Sequence, residues 1–220
     1  MSERKMTMDF DKYKFISECN RAGWNMDRRH VEVIHEFVMR NEFNKILEIG
    51  CYSGYSTSAL VEAINQGKKF ELHLSEPSPP ESGLLERVID MCSGQVVLHR
   101  KPSIDVLERY GGDFDCIIVD GDHKIEGGGY DLLMILRNQT PIVFAHDTNP
   151  IHLKNRKTFT RRSCMGAELL GRALKSHRDY FHIEDNKKRQ GERTERGLFF
   201  ASTDESKYRI ALDIFNEVCP

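Results

Sequence analysis

The sequence predicts an α/β fold built on a mainly parallel sheet, and three observations lead to this prediction. Short apolar segments typical of strands alternate with segments of helical periodicity through the middle of the chain. These strand-like segments are almost continuously apolar, as expected for strands that are buried on both faces of a sheet. The chain has 220 residues, of which 39% are hydrophobic and 30% charged. That length and composition fit one soluble globular domain with a sizeable core.

The elements follow in a regular order. Two helical segments, 9–20 and 27–40, precede the sheet, and Asp27 is a candidate N-cap of the second. Five strands are predicted over 45–49, 70–75, 95–99, 115–119 and 141–145, with helices between them over 54–66, 81–92, 103–109 and 129–138. A helix over 164–176, two antiparallel strands over 180–184 and 197–202, and a helix over 204–218 complete the chain. Right-handed crossovers between parallel strands then place helices on both faces of the sheet.

The turn after the first strand carries the clearest local motif, Gly50-x-x-x-Gly54 within the segment ILEIGCYSGYS. Glycine allows the tight turn and the close approach of a ligand, and the helix that follows offers free N–H groups. A dinucleotide-binding fingerprint would need a further glycine at the position of Tyr52. The loop therefore disfavours an NAD-type oxidoreductase.

Two further polar residues follow strands two and three. Glu76 ends the second strand, where a carboxylate can accept both hydroxyls of a ribose, although a solvated acid at a strand end is the alternative. Ser103 lies in the segment KPSIDVL after the third strand, and it is also a natural helix N-cap. Both positions fall at the carboxyl edge of the sheet, where open α/β folds bind ligands.

Ionisable side chains also follow strands four and five. These residues are Asp120, Asp122 and His123 in the segment VDGDH, and His146 and Asp147 in the segment AHDTN. Neighbouring strands would bring them into one small volume, where charges must be paired or bound to a cation. Carboxylates favour Mg²⁺, and the histidines leave Mn²⁺, Fe²⁺ or Zn²⁺ open. A structural ion-pair network is the alternative.

Taken together, these motifs resemble those of class I S-adenosylmethionine-dependent methyltransferases, over about residues 27–150. The pattern E-x-G-x-x-x-G from Glu48 resembles their motif I, and KPSIDVL resembles the adenine-lining segment of catechol-type O-methyltransferases. The strand ends resemble metal-dependent O-methyltransferases of the catechol and caffeoyl-CoA type. They also look like a related V-D-G-D-H branch that includes sugar and antibiotic-tailoring enzymes. The resemblance implies a Rossmann-like, seven-stranded mixed sheet of order 3-2-1-4-5-7-6 in an α-β-α sandwich.

The resemblance also implies roles for individual residues. The cofactor-binding residues would be Glu48, Gly50, Tyr52, Gly54, Ser56, Glu76, Ser103 and Asp120. A divalent metal, Mg²⁺ or Mn²⁺, would bind at Asp120, Asp147 and Thr148, with Thr148 standing where the family has asparagine. His123 occupies the position of the family's catalytic lysine, so His123, or alternatively His146, would accept the proton.

The expected organisation is a single methyltransferase domain over 1–220. It comprises a helical cap over 1–42, a cofactor-binding core over 43–150 and an acceptor-side part over 151–220. The expected activity is methyl transfer from S-adenosylmethionine to a small-molecule acceptor at a hydroxyl oxygen, assisted by a metal. The alternatives are methylation of RNA, protein or a nitrogen atom, and a nucleotide-binding module without catalysis.

Charge and composition bear on partners. The net charge is −2, but residues 151–200 contain 13 Lys+Arg and 6 Asp+Glu, a local excess of +7. An anionic acceptor would suit this segment, whereas the scarcity of aromatic residues between the cations disfavours nucleic acid. The segment could equally be a solvated loop. A polar N-terminus, the lack of a long apolar run and six scattered cysteines predict a cytoplasmic protein without a membrane partner. Apolar faces on the two N-terminal helices and the last helix would allow a homodimer.

Overall fold

A computed structural model of the chain describes residues 8–17, 25–80, 82–122, 124–148, 165–187 and 196–220. Seven strands within these ranges form one mixed sheet of order β3-β2-β1-β4-β5-β7-β6, which confirms the predicted order. The strands are β1 (Lys45–Ile49), β2 (Glu71–Ser75), β3 (Val96–His99), β4 (Cys116–Val119), β5 (Ile142–His146), β6 (Phe181–Asp185) and β7 (Leu198–Ser202).

The helices pack on both faces of this sheet. After a 3-10 turn at Phe10–Tyr13, they are α1 (Lys14–Ser17), α2 (Arg28–Met39), α3 (Thr57–Asn65), α4 (Leu84–Asp90), α5 (Ser103–Tyr110), α6 (Ile125–Arg137), α7 (Met165–Ser176) and α8 (Glu205–Val218). One apolar cluster joins α2, α3, α4 and α8 to one face of the sheet, and a second joins α5, α6 and α7 to the other. Consecutive residues such as Ile46 and Leu47 belong to opposite clusters, which explains the continuous apolar strands.

Strand register brings the predicted site residues to one edge. Strand β1 pairs in parallel with β2 and β4, and β4 pairs in parallel with β5. Ile49 is aligned with Ser75 and Val119, and Val119 with Ala145. The residues that follow these four positions therefore lie side by side at the carboxyl edge of the sheet.

Helix α6 differs most from the sequence prediction, because it begins at Ile125 and not at residue 129. Its first turns contain three consecutive glycines, which ordinarily disfavour a helix. Packing explains them, since a Cβ at Gly128 would lie 2.7 Å from the backbone of Gly166 in α7. Glycine thus lets α6 and α7 approach closely, and this contact outweighs the helical preference of the residues.

The N-terminal region is shorter in regular structure than predicted. The segment expected as one helix over 9–20 contains the 3-10 turn and the short α1, and residues 18–20 lie outside the described ranges. Helix α2 follows its prediction closely and is buried along most of its length, packed against α3 and α8. Its apolar face is therefore used within the chain. Within the ranges that the structure describes, no helix is both long and apolar enough to span a membrane.

Candidate active site

A cavity of about 670 Å³ opens at the carboxyl edge of β1, β2 and β4. Six of the eight predicted cofactor-binding residues line it, namely Gly50, Tyr52, Ser56, Glu76, Ser103 and Asp120. Gly54 and Glu48, the other two predicted residues, do not line the cavity. Asn25 and Met26, which precede α2, also line the cavity, so the N-terminal region contributes to it.

The loop from β1 to α3 has the backbone conformation that its glycines indicate. Gly50 and Gly54 have φ values of +83° and +85°. A side chain at Gly50 would collide with the backbone of Asp120 and Gly121, so glycine there lets β1 and β4 end in direct contact. Tyr52 also has a positive φ, +45°, and its N–H donates to Oε2 of Glu76 at 2.8 Å.

Glu76 is held in place by backbone donors. Its Oε2 accepts the N–H of Tyr52, and its Oε1 accepts the N–H of Ser78 at 3.0 Å. Each carboxylate oxygen has further acceptor capacity. The residue is mostly buried but borders the cavity. This geometry suits a carboxylate that accepts hydrogen bonds from two hydroxyl groups of a ligand.

Glu48 lies beneath the loop. Its two carboxylate oxygens accept the hydroxyls of Ser56 and Thr57, the latter at 2.7 Å, and thereby tie β1 to the start of α3. Burial raises the pKa of Glu48 to about 7, although the two hydroxyl donors act in the opposite direction. Thr57 was not among the predicted residues, and a hydroxyl pair directly after the glycine loop was the available signal.

Ser103 is the first residue of α5, and the N-cap is Pro102. Asp131 of α6 is buried, and burial raises its pKa to about 6, while a hydrogen bond with the side chain of Ser103 opposes this shift. The sequence gave no sign of this pair, because Asp131 is a single acid within an apolar helix.

The ends of β4 and β5 bring together three of the five predicted ionisable residues, Asp120, His146 and Asp147, whereas Asp122 accepts the backbone N–H of Lys124 and belongs to neither group of metal-type ligands. Nδ1 of His146 lies 3.1 Å from Oδ1 of Asp120 and 3.7 Å from Oδ1 of Asp147. Burial acts to lower the pKa of His146, but the two carboxylates outweigh it and the pKa is raised. Asp147 has a φ of +56°, and Nε of Arg196 lies 3.7 Å from its Oδ1. His123, the other predicted base, lies outside the described residues.

Thr148, the third predicted metal ligand, is buried beside this cluster. Within the described ranges its Oγ1 has no hydrogen-bond partner. Carboxylate and hydroxyl oxygens at Asp120, Asp147 and Thr148 form a donor set that suits Mg²⁺ or Mn²⁺. Asp147 and Thr148 do not line the cavity, whereas Asp120 does.

Several residues that the sequence analysis did not assign to the site join the same cluster, among them Asp27, which was predicted only as a helix N-cap. Asp27 and His30 come from the start of α2, and the ring of His30 meets that of His146 edge-to-face at 5.3 Å. Asp185 lies at the end of β6, and its Oδ2 accepts a hydrogen bond from Nε of Arg29 at 2.6 Å. Buried charged residues on an otherwise apolar helix were the available signal, but only the fold shows where they point.

The strand order, the glycine loop after β1 and the acid after β2 agree with the Rossmann-like methyltransferase fold that the motifs indicated. Residues 47–148 match the family model described as a methyltransferase domain. None of the curated proteins compared with the chain matches it.

Solved structures of methyltransferases have the same fold. The O-methyltransferase from Bacillus cereus in complex with SAH has a TM-score of 0.67 and 14% identity, covering 87% of this chain and 90% of that one. TomG, an O-methyltransferase from Streptomyces achromogenes involved in tomaymycin synthesis and solved with SAM, has a TM-score of 0.66 and 14% identity, covering 91% and 93%. The SAH-bound methyltransferase PaMTH1 from Podospora anserina has a TM-score of 0.65 and 17% identity, covering 87% and 86%. At such identities the likeness establishes the fold.

Proposed function

We propose that the chain transfers a methyl group from S-adenosylmethionine to a hydroxyl oxygen of a small-molecule acceptor, with assistance from a divalent metal ion. One observation carries the proposal: the loop at Gly50, the carboxylate of Glu76 and the end of β4 at Asp120 enclose a single cavity. The Bacillus cereus and Streptomyces achromogenes structures, which are solved with SAH and SAM, support the choice of cofactor.

In this proposal the cofactor lies across the carboxyl edge of the sheet. Glu76 accepts the two ribose hydroxyls, because both of its oxygens are already oriented by backbone donors. Gly50 lets the cofactor approach the backbone, and Ser103 lies at the adenine end, as in the family that the motif resembles. The sulfonium methyl needs no further activation. Orienting the acceptor in line with it can contribute roughly 7–11 kcal/mol in favourable cases.

The proposed metal ligands are the oxygens of Asp120, Asp147 and Thr148. Oγ1 of Thr148 is buried and has no hydrogen-bond partner among the residues that the structure describes, and this observation supports a ligand at this position. A bound divalent ion would lower the pKa of an acceptor hydroxyl and hold its oxygen. His123 or His146 would accept the proton. The carboxylates beside His146 raise its pKa, which favours proton uptake by its ring.

A calorimetric titration with S-adenosylmethionine tests the cofactor assignment. We expect wild-type protein to bind S-adenosylmethionine and not NAD, and Glu76→Gln to bind at least tenfold more weakly, because the amide presents a donor where the cofactor needs an acceptor. Glu71→Gln is the matched control. It changes an acid at the opposite, amino end of the same strand β2, away from the cavity. Equal affinity in wild type and Glu76→Gln would remove the ribose role, and no binding by wild type would remove the proposed function.

The charge of the segment after β5 bears on the class of acceptor. The excess of +7 in residues 151–200 favours an anionic acceptor, such as a phosphorylated or carboxylated compound. The same charge supports, as a second candidate, methylation of RNA. Transfer from labelled S-adenosylmethionine to either class, measured with and without Mg²⁺ or Mn²⁺ and at rising salt, separates the two.

A further inference from the structure

A second group of metal-type ligands lies beside the oxygen site of the proposed function and uses different atoms. Asp27, His30 and His146 each offer one ligand atom, and these atoms all lie within 4.8 Å of one another. Two of the residues come from the start of α2 and one from the end of β5. The group therefore joins the N-terminal region to the sheet.

The hydrogen bonds of the two histidines indicate which ring nitrogens are left to bind a metal. Nε2 of His30 lies 3.3 Å from Oδ2 of Asp185. Burial would raise the pKa of Asp185, but hydrogen bonds from His30 and Arg29 hold it well below its usual range. An ionised carboxylate only accepts, so Nε2 of His30 carries the proton and Nδ1 presents a lone pair. Nδ1 of His146 lies 3.1 Å from Oδ1 of Asp120, and a proton on this nitrogen leaves Nε2 for a ligand.

The atoms that face the group lack other partners. Nδ1 of His30, Nε2 of His146 and Oδ2 of Asp27 are all buried, and none has a hydrogen-bond partner within the part of the chain that the structure describes. The side chains of His30 and His146 are fully buried. Oδ2 of Asp27 lies 3.8 Å from Nδ1 of His30, beyond a hydrogen bond. Although Asp27 has the extended backbone of an N-cap, its side chain makes no capping bond.

The spacing and the charge both suit a cation. Two atoms that bind one ion tetrahedrally at about 2.0–2.1 Å are about 3.3–3.4 Å apart. The pair at 3.8 Å is close to this separation, and atoms 4.8 Å apart would have to approach by roughly 1.4 Å when an ion binds. The surrounding carboxylates (Asp27, Asp120, Asp147 and Asp185) outnumber the guanidinium groups (Arg29 and Arg196) by four to two. With all four carboxylates ionised and both histidines neutral, this cluster would carry two excess negative charges, although burial raises the pKa of Asp27.

We propose that Asp27, His30 and His146 bind a divalent transition-metal ion such as Zn²⁺. Two imidazole nitrogens and one carboxylate are a donor set that prefers Zn²⁺, Co²⁺ or Fe²⁺ to Mg²⁺. Asp185 and Asp120 then act as the outer carboxylates that orient the two histidines, an arrangement common at histidine-ligated metals. The two sites meet at His146, whose Nδ1 lies 3.1 Å from Oδ1 of Asp120 and 3.7 Å from Oδ1 of Asp147.

An ion bound there would hold the segment before α2, which lines the cavity, in a fixed position. Asp27 directly follows Asn25 and Met26, which line the cavity. The side chain of Asn25 accepts Oγ of Ser53 at 2.7 Å, and its backbone carbonyl accepts Nη1 of Arg196 at 2.6 Å. A metal between α2 and β5 would fix this wall relative to the sheet. It would also hold the proton of His146 on Nδ1, so that His123 becomes the base in the proposed methyl transfer.

Cobalt spectroscopy of the full chain tests the site. Protein that has been freed of metal with a chelator is titrated with Co²⁺, whose visible absorption reports nitrogen ligation and low coordination number. We expect one equivalent of Co²⁺ to bind, Zn²⁺ to displace it, and millimolar Mg²⁺ to leave the spectrum unchanged. Asp27→Asn should weaken Co²⁺ binding at least tenfold, and His30→Asn should abolish the spectrum. Asparagine is as good an N-cap as aspartate, so Asp27→Asn retains the helix start.

His35→Asn is the matched control. His35 is equally buried in α2, but it belongs to no metal-type group among the described residues. We expect it to bind Co²⁺ as wild type does. If His30→Asn does not fold, the Co²⁺ affinity of Asp27→Asn alone tests the site. Failure of wild type to bind Co²⁺, or unchanged binding by Asp27→Asn, would overturn the site. Titration of the metal-free protein with S-adenosylmethionine tests the proposed function separately, so either idea can fail alone.

Discussion

At the scale of single residues, Gly50 determines how closely β1 and β4 end. Its φ of +83° costs an L-residue about 1–2 kcal/mol, and a Cβ would in addition overlap the backbone of Asp120 and Gly121. We therefore expect Gly50→Ala to lower the free energy of unfolding by about 3 kcal/mol, measured by urea denaturation. We also expect it to abolish the binding of S-adenosylmethionine.

Gly83→Ala separates the two costs. Gly83 also has a positive φ, +66°, but a Cβ there would meet no atom within 4 Å. It should cost about 1 kcal/mol and leave cofactor binding unchanged. Equal losses of stability at the two positions would show that the contact with β4 is not the reason for glycine at position 50.

Glu48 predicts a particular pH dependence of stability. Its pKa is about 7 in the folded chain against 4.5 for an ordinary glutamate, so between these values the folded state holds a proton that the unfolded state lacks. The stability that the folded chain gains by holding this proton is fully present below pH 4.5 and is lost as the pH rises through 7. We expect the stability of wild type relative to Glu48→Gln to fall by about 2 kcal/mol between pH 5.5 and 8, measured by urea denaturation. A difference that does not change with pH would contradict the buried, protonated carboxyl.

Site residues that belong to a local sequence motif could be predicted from the sequence. Site residues that are brought together only by tertiary contacts could not. Gly50, Glu76 and Asp120 each follow a recognisable strand, and the carboxyl edge of a parallel sheet collects such positions. Asp27 and His30 are more than 100 residues from His146 in the chain. Their meeting depends on how α2 packs across the sheet, which local periodicity does not encode.

At the scale of elements, the N-terminal 3-10 turn is tied to α3 through a buried acid. The hydroxyl of Tyr13 donates to Oε2 of Glu62 at 3.1 Å, and Lys12 and Gln66 also donate to this carboxylate. Tyr13→Phe removes one donor and leaves Glu62 paired. We expect it to lower the free energy of unfolding by about 1.5 kcal/mol, the usual contribution of a hydrogen bond to a charged group.

Tyr208→Phe is the control for that substitution. Tyr208 packs on the ring of Phe181, and its hydroxyl makes no hydrogen bond within the described residues. Its loss should change stability by less than about 0.5 kcal/mol. If both substitutions have the same effect in thermal or urea denaturation, the contact between Tyr13 and Glu62 does not anchor the N-terminal turn.

Strands were easier to predict than helix ends, for a physical reason. The bounds of β1, β4 and β5 agree with their apolar segments to within one residue, because burial on both faces leaves little choice of residue type. The predicted start of α6 was four residues too late, because Gly128 packs against the backbone of Gly166 in α7 and this contact outweighs the low helical preference of glycine. Helix ends depend on contacts with other elements, which a single segment does not reveal.

At the scale of the whole molecule, periodicity indicated alternating strands and helices, but the sheet order came from the family resemblance. The reversal at β7, which lies antiparallel between β5 and β6, is not visible in any one segment. It brings Asp185 at the end of β6 and Arg196 before β7 to the polar cluster. The predicted cluster at the ends of β4 and β5 was therefore only part of the charged group that the fold assembles.

The cavity draws its walls from separate parts of the chain, so cofactor binding should stabilise the fold as a unit. Asn25 precedes α2, Gly50 and Glu76 follow β1 and β2, and Tyr130 belongs to α6. A ligand that binds only the folded state adds about 2.7 kcal/mol at a concentration 100 times its Kd. For a chain of this length we expect the Tm to rise by about 5–10 °C with S-adenosylmethionine at that concentration, measured by calorimetry. NAD at the same concentration should leave the Tm unchanged, because Tyr52 occupies the position where a dinucleotide site needs glycine. An equal rise with both compounds would mean that the cavity binds the adenosine part without selecting the sulfonium cofactor.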